Sequence, residues 1–317
     1  MTRALIFPGQ GSQAVGMGRA LADAFPEARA VFDEVDEALS QKLSQIMWDG
    51  PADELTLTAN AQPALMAVSL AALRVLEARA GLELPRHAAF VAGHSLGEYS
   101  ALAAAGALSI ADTARLLRIR GDAMQKAVPV GAGAMAALLG LDFDAAAEIA
   151  RDAAQGEVCD AANDNGGGQV VVSGSKAAVE RAVALAQSRG AKRAVMLPVS
   201  APFHCALMAP AADAMRVALA EVAVRAPVVP VVANVTAAPV SEPDAIRAAL
   251  VAQVTGTVRW RECVAFMAEA GVDRFVEVGA GKVLTGLVKR IAPGATGAAV
   301  GTPDDIAALA ASLQAEG

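Results

Sequence analysis

The sequence predicts an α/β protein in two parts: a body built on a parallel sheet, and a smaller lobe inserted into it. First, short apolar runs ending in glycine-containing turns alternate with amphipathic helical stretches at both ends of the chain. Second, Gly93-His94-Ser95-Leu96-Gly97 separates the apolar run Ala88–Ala92 from the alanine-rich helical pattern Glu98–Ala107, as a strand-to-helix elbow does. Third, residues 128–198 follow an element order of their own.

The body opens with Ala4–Phe7, an apolar run stopped by Pro8-Gly9 and read as a buried strand. Helical patterns follow over Arg19–Leu39 and Ala64–Ala80. After the elbow, Ser109-Ile110-Ala111-Asp112 opens a helix in capping-box style, and the pattern runs to about Ala127. In the lobe, Ala134–Leu139 reads as a strand, Asp142–Gln155 as a helix, and Glu157–Ala162 and Val170–Gly174 as strands. Ser175–Arg189 is a helix and Arg193–Leu197 the last strand, while Asn163–Gly168 reads as a flexible loop. The order βαββαβ is a split βαβ unit of ferredoxin-like type. From residue 199 the α/β alternation resumes, with strands at Val228–Ala233 and Phe275–Val278 and helices at Pro243–Val254, Arg261–Ala270 and Lys282–Ile291. The tail from Pro293 reads as variable up to a helix near Pro303–Leu313. The expected subdomains are 1–127 with 199–317, and 128–198, and a cleft between two such lobes is a common ligand site.

The 317 residues are 55% hydrophobic and only 3% aromatic, enough apolar material for one large core or two. A net charge of −7 carries no whole-chain basic footprint, so no nucleic-acid partner is expected. The uncharged runs Leu55–Leu73 and Ala194–Ala212 are interrupted by prolines and polar residues and do not read as membrane spans. Met1-Thr2-Arg3-Ala4 runs directly into a strand without a signal-peptide apolar region. Cys159, Cys205 and Cys263 are odd in number and lack paired spacing, so neither a disulfide framework nor a metal site is expected. Together these features describe a cytoplasmic enzyme.

In a Gly-x-Ser-x-Gly elbow the serine hydroxyl stands exposed above the sheet, with a helix N-terminus behind it. Ser95 is therefore a candidate nucleophile and needs a base. The chain has three histidines. His94 lies inside the elbow and points away from Ser95, and His87 follows Pro85-Arg86 in a loop expected at the surface. By elimination His204, in Pro202-Phe203-His204-Cys205, is the base candidate, against the alternative of a hydrogen-bonded core histidine. No acidic residue stands out as its partner, which weakens a serine esterase reading.

Arg120 falls at the edge of the apolar stripe Ile110, Ala114, Leu117, Met124, while Arg115 and Arg118 fall on other faces. An arginine on that side meets either a structural carboxylate or an anionic substrate, and its planar fork suits a second carboxylate on an acyl group. Phe7-Pro8-Gly9-Gln10-Gly11-Ser12-Gln13 is either a plain turn or a loop whose amides approach a bound oxygen. Gly279-Ala280-Gly281-Lys282 is a tight turn and not a phosphate loop, since Val276 occupies the position where that motif needs glycine. Basic residues concentrate in Lys176–Arg193 and Lys282–Arg290, as solvated helix faces or as patches for an acidic partner.

Taken together, Phe7–Gln13, Gln62-Pro63-Ala64, Gly93–Glu98, Arg120-Gly121, Val199–Met208 and Glu277–Lys289 resemble the malonyl-CoA:acyl carrier protein transacylases of fatty acid and polyketide synthesis. The resemblance covers nearly the whole chain to about Ile291, with Ala280 standing where the family more often has proline. It implies a hydrolase-like large subdomain and a ferredoxin-like small one. It implies Ser95 as nucleophile, His204 as base, an oxyanion hole from the backbone amides of Gln10 and Leu96, and Arg120 on the substrate carboxylate. It further implies a carbonyl near Gln253 orienting the histidine, and Gln62, Asn163, Asn165 and Phe203 lining the pocket. The implied substrate is malonyl-CoA and the implied partner acyl carrier protein. No cofactor or metal is implied, and a monomer is expected. A serine esterase and a catalytically silent carrier-binding module are the other readings.

Overall fold

The structure, a computed structural model, describes residues 2–314; Met1 and residues 315–317, at the ends of the expected large subdomain, lie outside the described residues. Two sheets organise it. The larger runs in the order β10 (Thr296–Val300), β9 (Arg274–Val278), β1 (Arg3–Phe7), β2 (Phe90–Gly93), β7 (Val231–Ala233), β8 (Ala238–Val240). The pairings from β10 to β7 are parallel, and only β8 is antiparallel to its neighbour. Its central strand β1 is buried throughout, with Leu5 and Phe7 in one core and Ala4 and Ile6 in the other. A parallel sheet covered on both faces needs such continuous apolar strands.

The second sheet is antiparallel, in the order β4 (Cys159–Asp164), β5 (Gln169–Ser175), β3 (Gly133–Leu139), β6 (Arg193–Met196). The helices Phe143–Ala154 and Lys176–Ser188 share a core with it. The βαββαβ order read from the sequence thus closes into a four-stranded sheet with its own apolar layer.

Several elements differ from the sequence reading. Asn163 and Asp164 are not loop residues; they end β4, where Asn163 faces Val171 and the Asp164 amide donates to the Val258 carbonyl at 2.9 Å. The turn that remains is pinned, since a Cβ on Gly166 would meet Ile291 Cγ1 at 2.5 Å. The long helix spans Thr58–Ala80, starting before the expected Ala64, and carries Pro63 inside it. It is long and apolar enough to cross a membrane, but 89% of its apolar window is buried in the protein, as in a core helix. The tail holds β10, and Ala209–Ala220, unassigned in the sequence, is a helix. His87 ends a helical turn, Leu84–His87, and is partly buried.

The basic run Lys176–Arg193 is largely a paired, solvated face. Arg181 meets Glu157 at 2.6 Å, Arg189 meets Asp152 at 2.6 Å, and Lys176 meets Glu180 at 4.0 Å.

Candidate active site

The loops that follow β1 and β2 press against each other at the carboxyl edge of the large sheet. Phe7 pairs with Gly93, and the His94 amide donates to the Phe7 carbonyl at 3.0 Å. A Cβ on Gly97 would sit 2.2 Å from that same carbonyl oxygen, and one on Gly93 would sit 1.9 Å from the Gly97 carbonyl. Only glycine fits at either position, so the elbow is as tight as its motif demands. Ser95 adopts φ 55°, a left-handed conformation costing a non-glycine residue about 1–3 kcal/mol, and the helix Gly97–Ala104 starts directly behind it.

His204 approaches from the other half of the body, itself at φ 58°. The Ser95 Oγ lies 2.7 Å from His204 Nε2, and His204 Nδ1 lies 2.8 Å from the Gln253 carbonyl oxygen. With Nδ1–H donating to that carbonyl, Nε2 presents its lone pair to the serine hydroxyl. Burial chiefly, and then the charge of Arg120, push the His204 pKa down to about 3; the Gln253 carbonyl pulls the other way. The imidazole is therefore neutral and able to accept a proton.

Arg120 is 2% exposed, as its helical phase predicts. Helix Ile110–Ala127, capped by the Ser109 hydroxyl accepting from the Asp112 amide at 3.0 Å, carries it. Gly121 allows the close helix crossing that puts it in place: a Cβ there would meet Ala59 Cα at 2.6 Å. Arg120 donates to Gln62 Oε1 at 2.7 Å, to Gln253 Oε1 at 2.9 Å and to Ser95 Oγ at 3.1 Å. All three acceptors are uncharged, and its Nε has none. The guanidinium also lies 5.6 Å from the Tyr99 ring centroid. The buried Glu98 carboxyl favours its charge from a distance but makes no hydrogen bond to it, so an incoming anion can still take up the guanidinium directly.

Gln62 continues a chain of side chains. Its Nε2 donates to Thr58 Oγ1 at 2.8 Å, and that hydroxyl donates to Gln10 Oε1 at 2.9 Å, which ties the loop after β1 to Arg120. His94 does point away from Ser95; its Nε2 meets Asn165 Oδ1 at 2.9 Å, and burial lowers its pKa.

A cleft of about 490 Å³ lies between the two sheets. Of the residues singled out in the sequence, Gln10, Gln62, Ser95, Leu96, Arg120, Asn163, Asn165, Phe203 and His204 line it, and so does His94. Gln253 does not; it is fully buried behind the serine–histidine pair. His87 lies away from it, bonded to its own turn at Glu83. Among the described residues no group of three or more His, Cys, Asp or Glu side chains is arranged to hold a metal ion.

Glu98, Asn234 and Glu277 carry no role in the sequence reading but hold the site from behind. Glu98, its pKa pushed up to about 7 by burial, accepts from the Asn234 amide and from Gln253 Nε2, both at 2.9 Å. Glu277, fully buried, accepts from the Leu284 and Thr285 amides at 3.1 and 2.7 Å. It caps the helix Val283–Ile291, whose first residues line the cleft and whose last turn carries Lys289 and Arg290.

A strand–serine–helix elbow, a histidine on that serine and a buried arginine beside both define an α/β serine acyltransferase. The family model for the acyl transferase domain matches residues 4–303. The chain is 49% identical over 311 residues to the malonyl CoA-acyl carrier protein transacylase of Escherichia coli K12, covering 98% of each. To that of Bacillus subtilis it is 44% identical over 314 residues, 99% of this chain and 98% of the other. It superposes on the acyl-carrier-protein-S-malonyltransferase of Bartonella henselae with a TM-score of 0.97 at 58% identity, covering 99% of this chain and 100% of that one. A malonyl-transacylase solved in complex with a type II polyketide acyl-carrier protein gives 0.95 at 43% identity, covering 98% and 100%. The chain belongs to the acyl transferase family, with the malonyl CoA-acyl carrier protein transacylases.

Proposed function

We infer that this protein is an [acyl-carrier-protein] S-malonyltransferase. It moves malonyl from malonyl-CoA to the phosphopantetheine thiol of acyl carrier protein through a malonyl-serine intermediate. The observation that carries this reading is that one hydroxyl, Ser95 Oγ, is within hydrogen-bond reach of both a neutral histidine and an arginine that has only uncharged acceptors.

Ser95 Oγ attacks the thioester carbonyl carbon while His204 Nε2 takes its proton. The carbonyl oxygen becomes an oxyanion that accepts from the Gln10 and Leu96 amides. The carbon–sulfur bond then breaks, His204 returns the proton to the departing coenzyme A thiol, and malonyl stays on Ser95 with its free carboxylate on Arg120. In the second half the carrier thiol attacks the ester carbonyl, His204 takes the thiol proton and gives it back to Ser95. Atoms and charge balance without a redox cofactor or a metal. Gln62 holds Arg120, Asn163, Asn165 and Phe203 line the acyl and pantetheine space, and the Gln253 carbonyl orients His204.

Intact-mass measurement tests the reading. Mixing with malonyl-CoA should add one malonyl group to the chain, and peptide mapping should place it on Ser95. Acylation elsewhere, or turnover with no covalent adduct, would refute it.

Selectivity follows from Arg120. A bidentate, charge-assisted contact is worth on the order of 1.5–3 kcal/mol. Arg120→Ala should therefore cut kcat/KM for malonyl-CoA more than tenfold while sparing acetyl-CoA, which has no second carboxylate to desolvate. Arg120→Lys should recover only part, because an ammonium lacks the planar fork. Equal losses for both substrates would make Arg120 a structural residue.

The carrier protein would dock beside the cleft mouth on the run Lys282–Arg290, with Lys289 and Arg290 as its chief cationic contacts; Arg290 reaches the cleft-lining Gln169 at 3.4 Å. Lys176–Arg193 is the weaker candidate, given its ion pairs. The same reading makes the enzyme a cytoplasmic monomer, with 128–198 as the small subdomain and 1–127 with 199–317 as the large one. Its three described cysteines are free and buried, in keeping with a reducing compartment.

A further inference from the structure

Ser95 holds its left-handed conformation through side chains that lie behind the cleft. Its amide donates to Asn234 Oδ1 at 2.8 Å, and its carbonyl accepts from Gln253 Nε2 at 2.9 Å. Asn234 stands just past the end of β7, is fully buried and does not line the cleft. Its Nδ2 donates to the Gly93 carbonyl at 2.8 Å, so one carboxamide grips the peptide groups on both sides of the turn into the serine.

The carboxamide is itself held. The Asn234 amide donates to Glu98 Oε2 at 2.9 Å, and its carbonyl accepts from the Arg259 amide at 3.1 Å. Glu98 Oε2 also accepts from Gln253 Nε2 at 2.9 Å, and the carbonyl of Gln253 in turn holds His204. The backbone of the serine and the ring of the histidine are thus referenced to one buried carboxyl.

We propose that Asn234 is a positioning residue for the nucleophile: by bridging the Ser95 amide and the Gly93 carbonyl, it fixes the turn that lifts Ser95 Oγ onto His204 Nε2. The proposal rests on Ser95 being the nucleophile. Without the carboxamide, the Ser95 amide and the Gly93 carbonyl are left without these partners and the turn relaxes. A misplacement near 1 Å at a reacting atom costs about 10²-fold in rate. Because Asn234 does not line the cleft, that loss should fall on every electrophile alike, with substrate recognition intact.

The experiment compares wild type, Asn234→Ala and Asn234→Asp with three reagents: malonyl-CoA, acetyl-CoA and a fluorophosphonate. The last reports the reactivity of the serine with no malonyl group to recognise, its phosphorus bonding to Oγ as fluoride leaves. Rates are taken per folded molecule, from thermal melts and the labelling endpoint. Asn234→Ala should lower all three rates by a common factor of about 10², with KM for malonyl-CoA little changed. Asn234→Asp keeps the side-chain volume and the acceptor for the Ser95 amide, so it should fold where alanine fails and react at an intermediate rate. Wild-type phosphonylation in either folded variant, or a loss confined to malonyl-CoA, would overturn the proposal. A wild type that is not labelled at Ser95 would overturn the nucleophile assignment itself, and this proposal with it.

Discussion

Ser95→Ala is expected to lose malonyl transfer to the background rate, a fall of about 10⁶, and to take up no malonyl group from malonyl-CoA. The size of the effect follows from the absence of a substitute at that point. Cys205, next to His204 in sequence, is fully buried, donates its thiol to the Pro202 carbonyl at 3.1 Å, and has its pKa pushed up to about 11 by burial. A thiol in that state supplies almost no thiolate. Arg120 keeps its contacts with Gln62 and Gln253 when the serine hydroxyl is removed, so the variant should still bind malonyl-CoA. Binding by calorimetry together with intact-mass labelling checks both halves. Undiminished labelling would move the nucleophile elsewhere.

His204→Ala should slow transfer by about 10²–10⁴, the scale of a lost general base. Adding it to Ser95→Ala should cost little more, because the two residues act as one unit. The pH dependence carries a second signature. A base works when neutral, so it fails as pH falls through its pKa; an unperturbed histidine would do so near 6.5. His204, held down to about 3, should stay competent, and the wild-type rate should not fall between about pH 6 and about pH 5. When a substrate carboxylate settles on Arg120, the repulsion between the guanidinium and the imidazole is offset, and the base strengthens once substrate is in place. Stopped-flow acylation across that range tests it. A steep acid limb with a midpoint near 6.5 would show a solvated, ordinary histidine.

Features written in local pattern were legible in the sequence. The elbow needs glycine at 93 and 97 because backbone occupies the space a Cβ would take, and that demand stays visible as a motif. The burial of Arg120 follows from helical phase, and the cap at Ser109 from its spacing to Asp112. Ser95 and His204, placed in the sequence by motif and elimination, lie 2.7 Å apart. What stayed hidden depends on partners far along the chain. Strand β10, Thr-Gly-Ala-Ala-Val, has weak strand propensity and exists by pairing with β9. Asn163 and Asp164 look like turn formers and become strand because Val171 and Val258 take up their backbone. Asn234 and Glu98 meet across 136 residues, and nothing near either one announces it. The basic run Lys176–Arg193 holds only one acid of its own, Glu180; the acids that pair Arg181 and Arg189, Glu157 and Asp152, come from the preceding segment.

The histidine leans on a peptide carbonyl where hydrolases of this architecture use a carboxylate. A neutral carbonyl stabilises the imidazolium less, so the pair is a modest proton acceptor. A thiol with a pKa near 8.5 surrenders its proton to such a base far more readily than water does. If Ser95 carries the acyl group as proposed, that ester partitions by the acidity of what arrives: water is a poor claimant, and a pantetheine thiol is a good one. An enzyme wired this way can hold a loaded ester between two encounters, and its waste is measured as the fraction of acyl groups lost to solvent before a thiol appears.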